Sequence, residues 1–209
     1  MSMRIGIIGS GNIGATLTRR LTALGHEVAV ANSRGPQSLE GLAGETGATA
    51  AEPATAVRGA ELVIVAIPLK AVPELPAGEL DGSLVVDAGN YYPGRDGQIA
   101  EIDGGTASSR SVAGHLPGAT VVKAFNTIQA AHLLQLGRPA GEEGRIAVPV
   151  AADDARGKRR VLELVDALGF DGIDAGSLDE SRRQEPGTPV YGADLGAEAA
   201  LAALGAAAR

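Results

Sequence analysis

The residues of this chain best suited to chemistry lie in two short stretches near its start. The first is Gly9-Ser10-Gly11-Asn12-Ile13-Gly14, directly after the apolar run Arg4-Ile5-Gly6-Ile7-Ile8. The second is Asn32-Ser33-Arg34, directly after Val28-Ala29-Val30-Ala31. Gly-x-Gly-x-x-Gly is a weak signal alone and a strong one between a strand and a helix in a βαβ unit. In that setting Gly9 allows the tight turn, Gly11 lets backbone approach a diphosphate, and Gly14 permits close helix–strand packing. Ser10, Asn12 and Ile13 complete a loop whose helix N-terminus offers free N–H groups and partial positive charge to an anion.

The second stretch says which dinucleotide fits. A free ribose 2′-hydroxyl is usually held at this strand end by Asp or Glu. Here Asn32, Ser33 and Arg34 stand instead. A carboxylate would repel a 2′-phosphate, whereas Ser33 can donate a hydroxyl hydrogen bond and Arg34 a charge-assisted, bidentate pair. One such bond is worth about 1.5–3 kcal/mol, a roughly ten- to a hundred-fold preference. NADP(H) is the expected cofactor.

Two more strand ends should face the same crevice, because ligands in open α/β sheets bind outside the carboxyl ends of the strands. They carry Ala66-Ile67-Pro68 and Asp87-Ala88-Gly89-Asn90. Ala66, Ile67 and Pro68 can pack against the nicotinamide or its ribose, or simply form a strand exit. Asn90 is divided between ligand contact and turn residue, and Asp87 reads as a hydrogen-bonded structural carboxylate.

A dehydrogenase acting on an alcohol or imine needs a group to move a proton with the hydride. Among the three histidines, His26 follows a helix-capping Gly25, His115 precedes Pro117, and His132 sits in a helix that could face the cleft or not. Lys123, inside an apolar run, either reaches the cleft mouth or snorkels outward. No proton relay and no catalytic residue emerge. A flavin-like acceptor tolerates this, since its ring is an electron sink and the protein supplies stacking and distance.

The elements that must position these residues alternate throughout. Strands are expected at Arg4–Ile8, Glu27–Ala31, Ala48–Ala50, Leu62–Ile67, Leu84–Ala88, Thr120–Phe125, Arg145–Val150 and Phe170–Asp174. Helices are expected at Ile13–Leu24, Ser38–Thr46, Pro53–Gly59, Ser109–Leu116, Thr127–Leu136, Asp154–Leu168 and Ala193–Ala208. Several strands are unbroken Val/Ile/Leu/Ala runs, which fits a parallel sheet buried on both faces. Gly25 and Gly169 sit where a left-handed C-cap is needed. The expected fold is an α/β, doubly wound Rossmann-type parallel sheet with helices on both faces and a small C-terminal αβ segment. The division falls near Phe125: residues 1–125 bind the dinucleotide, and 126–209 close the substrate cleft.

Composition narrows the remaining classes. The 209 residues carry 18 basic and 25 acidic side chains, a net charge of −7 that disfavours nucleic acid or anionic membrane as partner. With no cysteine, thiol catalysis and thiolate metal sites are excluded, and no metal ligand set is expected. No apolar run approaches the roughly 18 residues needed to span a bilayer. A cytoplasmic protein acting on a small molecule is expected. The Ala/Leu-rich end suits helix packing within or between subunits, so a homodimer is one arrangement it permits.

Gly9–Gly14, Asn32-Ser33-Arg34, Ala66-Ile67-Pro68, Val121-Val122-Lys123-Ala124-Phe125-Asn126-Thr127 and Asp174-Ala175-Gly176 resemble the NADPH-dependent reductases of the deazaflavin coenzyme F-420. The resemblance runs from Arg4 to about Tyr191. It implies direct hydride transfer between NADP(H) and the deazaflavin, held between the Rossmann part and the C-terminal part. The chain is also similar to the NADPH-binding domain of six-transmembrane metalloreductases, which pass hydride to a flavin. The archaeal F-420 enzymes place a histidine near the deazaflavin where this chain has Asn126, so the resemblance puts Asn126 beside the second substrate and leaves that substrate open. Ordinary flavin (FMN or FAD), a small imine or carbonyl, and a non-catalytic NADPH-binding module are the competing readings.

Overall fold

The computed structural model describes residues 2–207. Ala208, at the end of the last expected helix, lies outside the described residues. In chain order the elements are β1 (Arg4–Ile8), α1 (Asn12–Ala23), β2 (Glu27–Ala31), α2 (Glu40–Thr46), β3 (Thr49–Ala50), α3 (Pro53–Val57), β4 (Leu62–Val65) and β5 (Leu84–Asp87). Then follow α4 (Pro93–Asp96), α5 (Ala100–Asp103), α6 (Ser108–His115), β6 (Thr120–Lys123), α7 (Ala130–Gln135), β7 (Ala147–Ala152), α8 (Ala155–Ala167), β8 (Asp171–Asp174) and α9 (Ala197–Ala206). The strands form one sheet in the order β3-β2-β1-β4-β5-β6-β7-β8. Between β1 and β4 the strand order reverses, which is where such sheets open a ligand crevice.

Both faces of the sheet are buried, and side chains alternate between them with the period of two that strands impose. Ile5, Ile7, Ile64, Val86 and Val122 join Leu17 and Leu21 of α1 and Val161, Leu164 and Val165 of α8 in one core. Ile8, Val63, Val65, Val85 and Val121 pack on the other face with Val57 of α3 and Val112 and Leu116 of α6. This accounts for the unbroken apolar runs.

The expected glycine stops are present. After α1, Gly25 takes φ 82°, and its N–H donates to Thr22 O while His26 N–H donates to Leu21 O. After α8, Gly169 takes φ 92°, and Phe170 N–H reaches back to Val165 O. Both are paired backbone closures in which a left-handed residue satisfies the last carbonyls of a helix. The start of α8 is capped by Asp154, which accepts from Gly157 N–H at 2.6 Å.

Several expected bounds shift by a few residues, β4 ending at Val65, β6 at Lys123 and α9 starting at Ala197, and the strand directions also differ from expectation. The parallel run holds for the first six strands, but β7 enters antiparallel to β6, and β8 follows β7 in parallel. Register explains the consequence. β7 pairs with β6 only through Ala152 with Val122 and Ala151 with Lys123. Its earlier residues, Ala147 to Val150, pair with β8 instead. At about 3.3 Å per residue, β7 therefore projects some 13 Å past the carboxyl end of β6. Residues after Phe125 thus extend the same sheet and stand over the edge where ligands bind. Short helical turns at Leu69–Glu74, Ala77–Leu80 and Asp179–Gln184, with α4 and α5, fill stretches read from sequence as loop.

Candidate functional site

The glycine loop is built from backbone. Gly9 takes φ 108°, and a Cβ there would lie 2.2 Å from Ala66 O. A Cβ on Gly14 would lie 1.8 Å from Gly9 O. These two glycines are required by the protein's own packing. Gly11 differs: a Cβ on it would meet nothing within 4 Å. Its side is open toward the cleft, so the missing side chain leaves room for something other than protein. The helix that follows has no side-chain cap and no acidic residue in its first turn. Its leading N–H groups thus remain available to an anion. Asn12 is exposed there, while Ile13 turns its side chain back onto the core.

A cleft of about 410 Å³ opens from this loop. Gly9, Ser10 and Gly11 form one end, Ser33 and Arg34 one wall, and Ala66, Ile67 and Pro68 the opposite exit. Larger hollows of about 720 Å³ beside Arg110 and Arg183 and about 470 Å³ beside Arg4 and His26 do not border the glycine loop.

Asn32 lines this cleft but is a scaffold. Its Nδ2 donates to Ser10 Oγ and to Ser38 Oγ, each at 2.9 Å. Its Oδ1 accepts from Arg34 N–H at 2.9 Å. Asn32 thereby ties the glycine loop to the turn carrying Ser33 and Arg34, whose side chains are exposed and form no ion pair among the described residues. The residue that follows β2 is Asn32, not Asp or Glu.

The exits of β5 and β6 form a second cluster. Asp87 and Lys123 are almost fully buried. Lys123 Nζ donates to Asp87 Oδ2 at 3.0 Å and to Gly89 O at 2.6 Å. Asp87 also accepts from Ser109 Oγ at 2.6 Å and from Gly89 N–H at 2.8 Å. Lys123 therefore neither reaches the cleft mouth nor snorkels; it fixes the β5 exit from beneath. Asp87 has the structural part expected of it.

Above that anchor, Asn126 is 4% exposed and spends its amide inside the protein. Its Nδ2 donates to Asn90 Oδ1 at 3.1 Å and to Gln184 O at 2.7 Å. Its Oδ1 accepts from Gln184 Nε2 at 2.9 Å. Asn90 Nδ2 donates to Asn126 O at 3.0 Å and to Tyr191 Oη at 3.4 Å. Preceding Asn126, Phe125 is fully buried with φ 63°. That left-handed conformation costs a non-glycine residue about 1–2 kcal/mol, and it turns the chain from β6 so that Asn126 meets Asn90. The hydroxyls of Tyr92 and Tyr191 are in hydrogen-bond contact. Burial first, and then the bond to Tyr92, push the Tyr191 hydroxyl up to about 12.

The histidines lie elsewhere. His26 Nδ1 accepts from Met3 N–H at 3.1 Å, and burial holds its imidazole below the usual range. His115 is exposed at the end of α6. His132 Nδ1 lies 2.5 Å from Asp194 Oδ2, in the segment before α9. The sequence reading missed Tyr92, Tyr191, Gln184 and Ser38. A signal existed for the tyrosines: Tyr91-Tyr92 directly follows the β5 exit in a chain with only three tyrosines and no tryptophan.

A mostly parallel sheet, a glycine loop opening a helix at the strand-order reversal, and a cleft there define a Rossmann-type dinucleotide-binding protein. Residues 4–91 match the model of the family described as NADP oxidoreductase, coenzyme F420-dependent. The hypothetical protein SMa0349 of Sinorhizobium meliloti superposes with a TM-score of 0.81 at 34% identity, covering 94% of this chain and 96% of that one. An Arthrobacter sp. FB24 structure, assigned provisionally as an F420-dependent NADP reductase, gives 0.74 at 29% identity, covering 87% and 88%. Rat (Rattus norvegicus) metalloreductase STEAP3 is 31% identical over 184 residues, 87% of this chain. The chain spans only 36% of that relative's length. Among the described residues no helix is long and apolar enough to cross a membrane.

Proposed function

We propose that this protein transfers hydride between NADP(H), held in the cleft at the glycine loop, and the deazaflavin coenzyme F-420, held over the exits of β5 and β6. The reading of the cofactor is carried by one observation. Ser33 and Arg34 form a wall of the cleft that opens at Gly11, and β2 runs into Asn32 rather than into an Asp or Glu. The first-turn N–H groups of α1 and the backbone of Gly9 to Gly11 would hold the diphosphate. Ser33 and Arg34 would hold the 2′-phosphate, and Asn32 keeps them at that distance from the loop. Ile67 and Pro68 shape the cleft's exit toward Asn90, so a nicotinamide would lie between β4 and β5. When bound, the cofactor supplies the hydride.

Residues 126–209 contribute the acceptor side. β7 projects past the carboxyl end of β6, and Gln184 and Tyr191 descend from this part onto Asn126 and Asn90. Asn126, with its amide consumed in the protein, supports the acceptor site as scaffold. Ordinary flavin is the second reading, favoured by the likeness to a metalloreductase over 87% of the chain. The test is to mix purified protein with NADPH and follow bleaching of F-420 and, separately, of FMN. Bleaching of F-420 well beyond FMN is expected. Tight NADPH binding with no bleaching of either would overturn the hydride-transfer reading.

A further inference from the structure

We propose that the Tyr92 hydroxyl is the hydrogen-bond donor that orients the hydride acceptor, at the end of a chain running Asn90 Nδ2–H to Tyr191 Oη–H to Tyr92 Oη–H. The acceptor it selects is a planar conjugated ring bearing a carbonyl oxygen or ring-nitrogen lone pair. This inference rests on the hydride-transfer reading above and adds the residue that meets the second substrate.

Asn90 and Asn126 give both amide hydrogens of each to protein acceptors, so neither has one left for a ligand. The two phenols bring two hydroxyl hydrogens, and their single O···O contact uses one. Asn90 already donates to Tyr191 Oη. The arrangement in which each bond polarises the next therefore has Tyr191 donating to Tyr92. The hydroxyl with its hydrogen unspent is then that of Tyr92, the more exposed partner at 37%. The rise of the Tyr191 hydroxyl to about 12, caused by burial and then by its bond to Tyr92, keeps that proton in place.

Tyr92 is also held more firmly than an exposed side chain needs to be. Its N–H donates to Asp96 Oδ2 at 3.0 Å. The Arg95 guanidinium lies 5.0 Å from its ring centroid. Arg95 in turn donates to Asn90 O at 2.6 Å and pairs with Asp96. An aromatic side chain fixed at backbone, ring and hydroxyl, yet left open to solvent at the carboxyl edge of the sheet, is preorganised for a ligand. A hydroxyl hydrogen can meet only a lone pair, and this sets the acceptor class.

The experiment compares wild type with Tyr92→Phe, Tyr191→Phe and the double variant, using NADPH with F-420 and with FMN. It records acceptor KM, kcat, NADPH affinity by fluorescence and the thermal midpoint. Tyr92→Phe is expected to raise acceptor KM about tenfold, the usual worth of one hydrogen bond, with NADPH affinity unchanged and the midpoint lowered no further than in Tyr191→Phe. Tyr191→Phe should raise it about threefold, because Tyr92 keeps its hydrogen and loses only its polarising donor. The double variant should match Tyr92→Phe alone, a non-additivity that a merely structural role would not produce. An unchanged acceptor KM in Tyr92→Phe, or effects that add in full, would overturn the inference while leaving the hydride-transfer reading standing. A wild type that binds NADPH and reduces neither acceptor would overturn both.

Discussion

The two ends of the crevice are made of different materials. At the glycine loop the site is mostly backbone: Gly9, Gly11, the free N–H groups of α1, and a turn steadied by Asn32, all within residues 9–38. At the exits of β5 and β6 it is a side-chain network in which Asn90, Asn126, Gln184 and Tyr191 are drawn from segments up to 101 residues apart. The first end can be specified by a few consecutive residues, since glycine and a helix start carry the geometry themselves. The second exists only once β7 has reversed and brought Gln184 and Tyr191 over the sheet. The difference separates a site that tolerates little change in any one residue from a site whose members support each other.

The sharpest way to break this contrast lies inside the glycine loop. Gly14→Ala puts a Cβ 1.8 Å from Gly9 O and is expected to cost at least about 4 kcal/mol, read as a collapse of the thermal midpoint. Gly11→Ala meets no protein atom within 4 Å. It should melt like wild type while NADPH affinity falls by at least about tenfold, the equivalent of about 1.4 kcal/mol. Equal melting losses in the two variants would mean that Gly11 serves the fold and not a ligand.

At the other end, Lys123→Met leaves Asp87 charged and buried, and a cost of about 3–5 kcal/mol is expected in denaturant titration. Adding Asp87→Asn should return part of that loss, because the uncompensated charge is then gone. Arg34→Ala tests the wall of the cofactor cleft. A loss of roughly ten- to a hundred-fold in NADPH affinity is expected, with NADH affinity unmoved, in a fluorescence titration. Asn126→Ala removes the donor to the Gln184 carbonyl and to Asn90 Oδ1 and one of two acceptors of the Gln184 amide, at about 1–3 kcal/mol of stability. It should also weaken acceptor binding, which Asn32→Ala would not.

The smallest effect is spectroscopic. Tyr191, half-buried and bonded to Tyr92, should release its proton near pH 12. The folded-state value lies above the unfolded one, so the stability linked to this proton is complete below about pH 10 and is lost as pH rises toward 12. Tyrosinate absorbance checks this, and in Tyr92→Phe the late step should move down.

Much of this was legible beforehand, for reasons particular residues show. β1 and β2 fall where apolar runs and the flanking Gly9 and Asn32 put them, because strands buried on both faces leave no ambiguity about which residues are core. The stops at Gly25 and Gly169 were legible because only a left-handed residue closes those helix ends. Lys123 was not: a lysine within Val121-Val122-Lys123-Ala124 has no local sign that Asp87 and Gly89 O accept from its amine. Nor does the sequence announce that β7 runs against β6, since alternating strands and helices fit either direction until the sheet edge decides.

By itself, then, the sequence determined the sheet's first six strands, the glycine loop, and Ser33 and Arg34 beside it, because each rests on interactions within a few residues or on a simple burial period. Only the tertiary structure decided the reversed β7, the buried pair of Lys123 with Asp87, and the meeting of Asn90, Tyr92, Asn126, Gln184 and Tyr191. Those contacts join residues far apart in the chain. Their geometry follows from how the two faces of the sheet pack and from where β7 comes to stand.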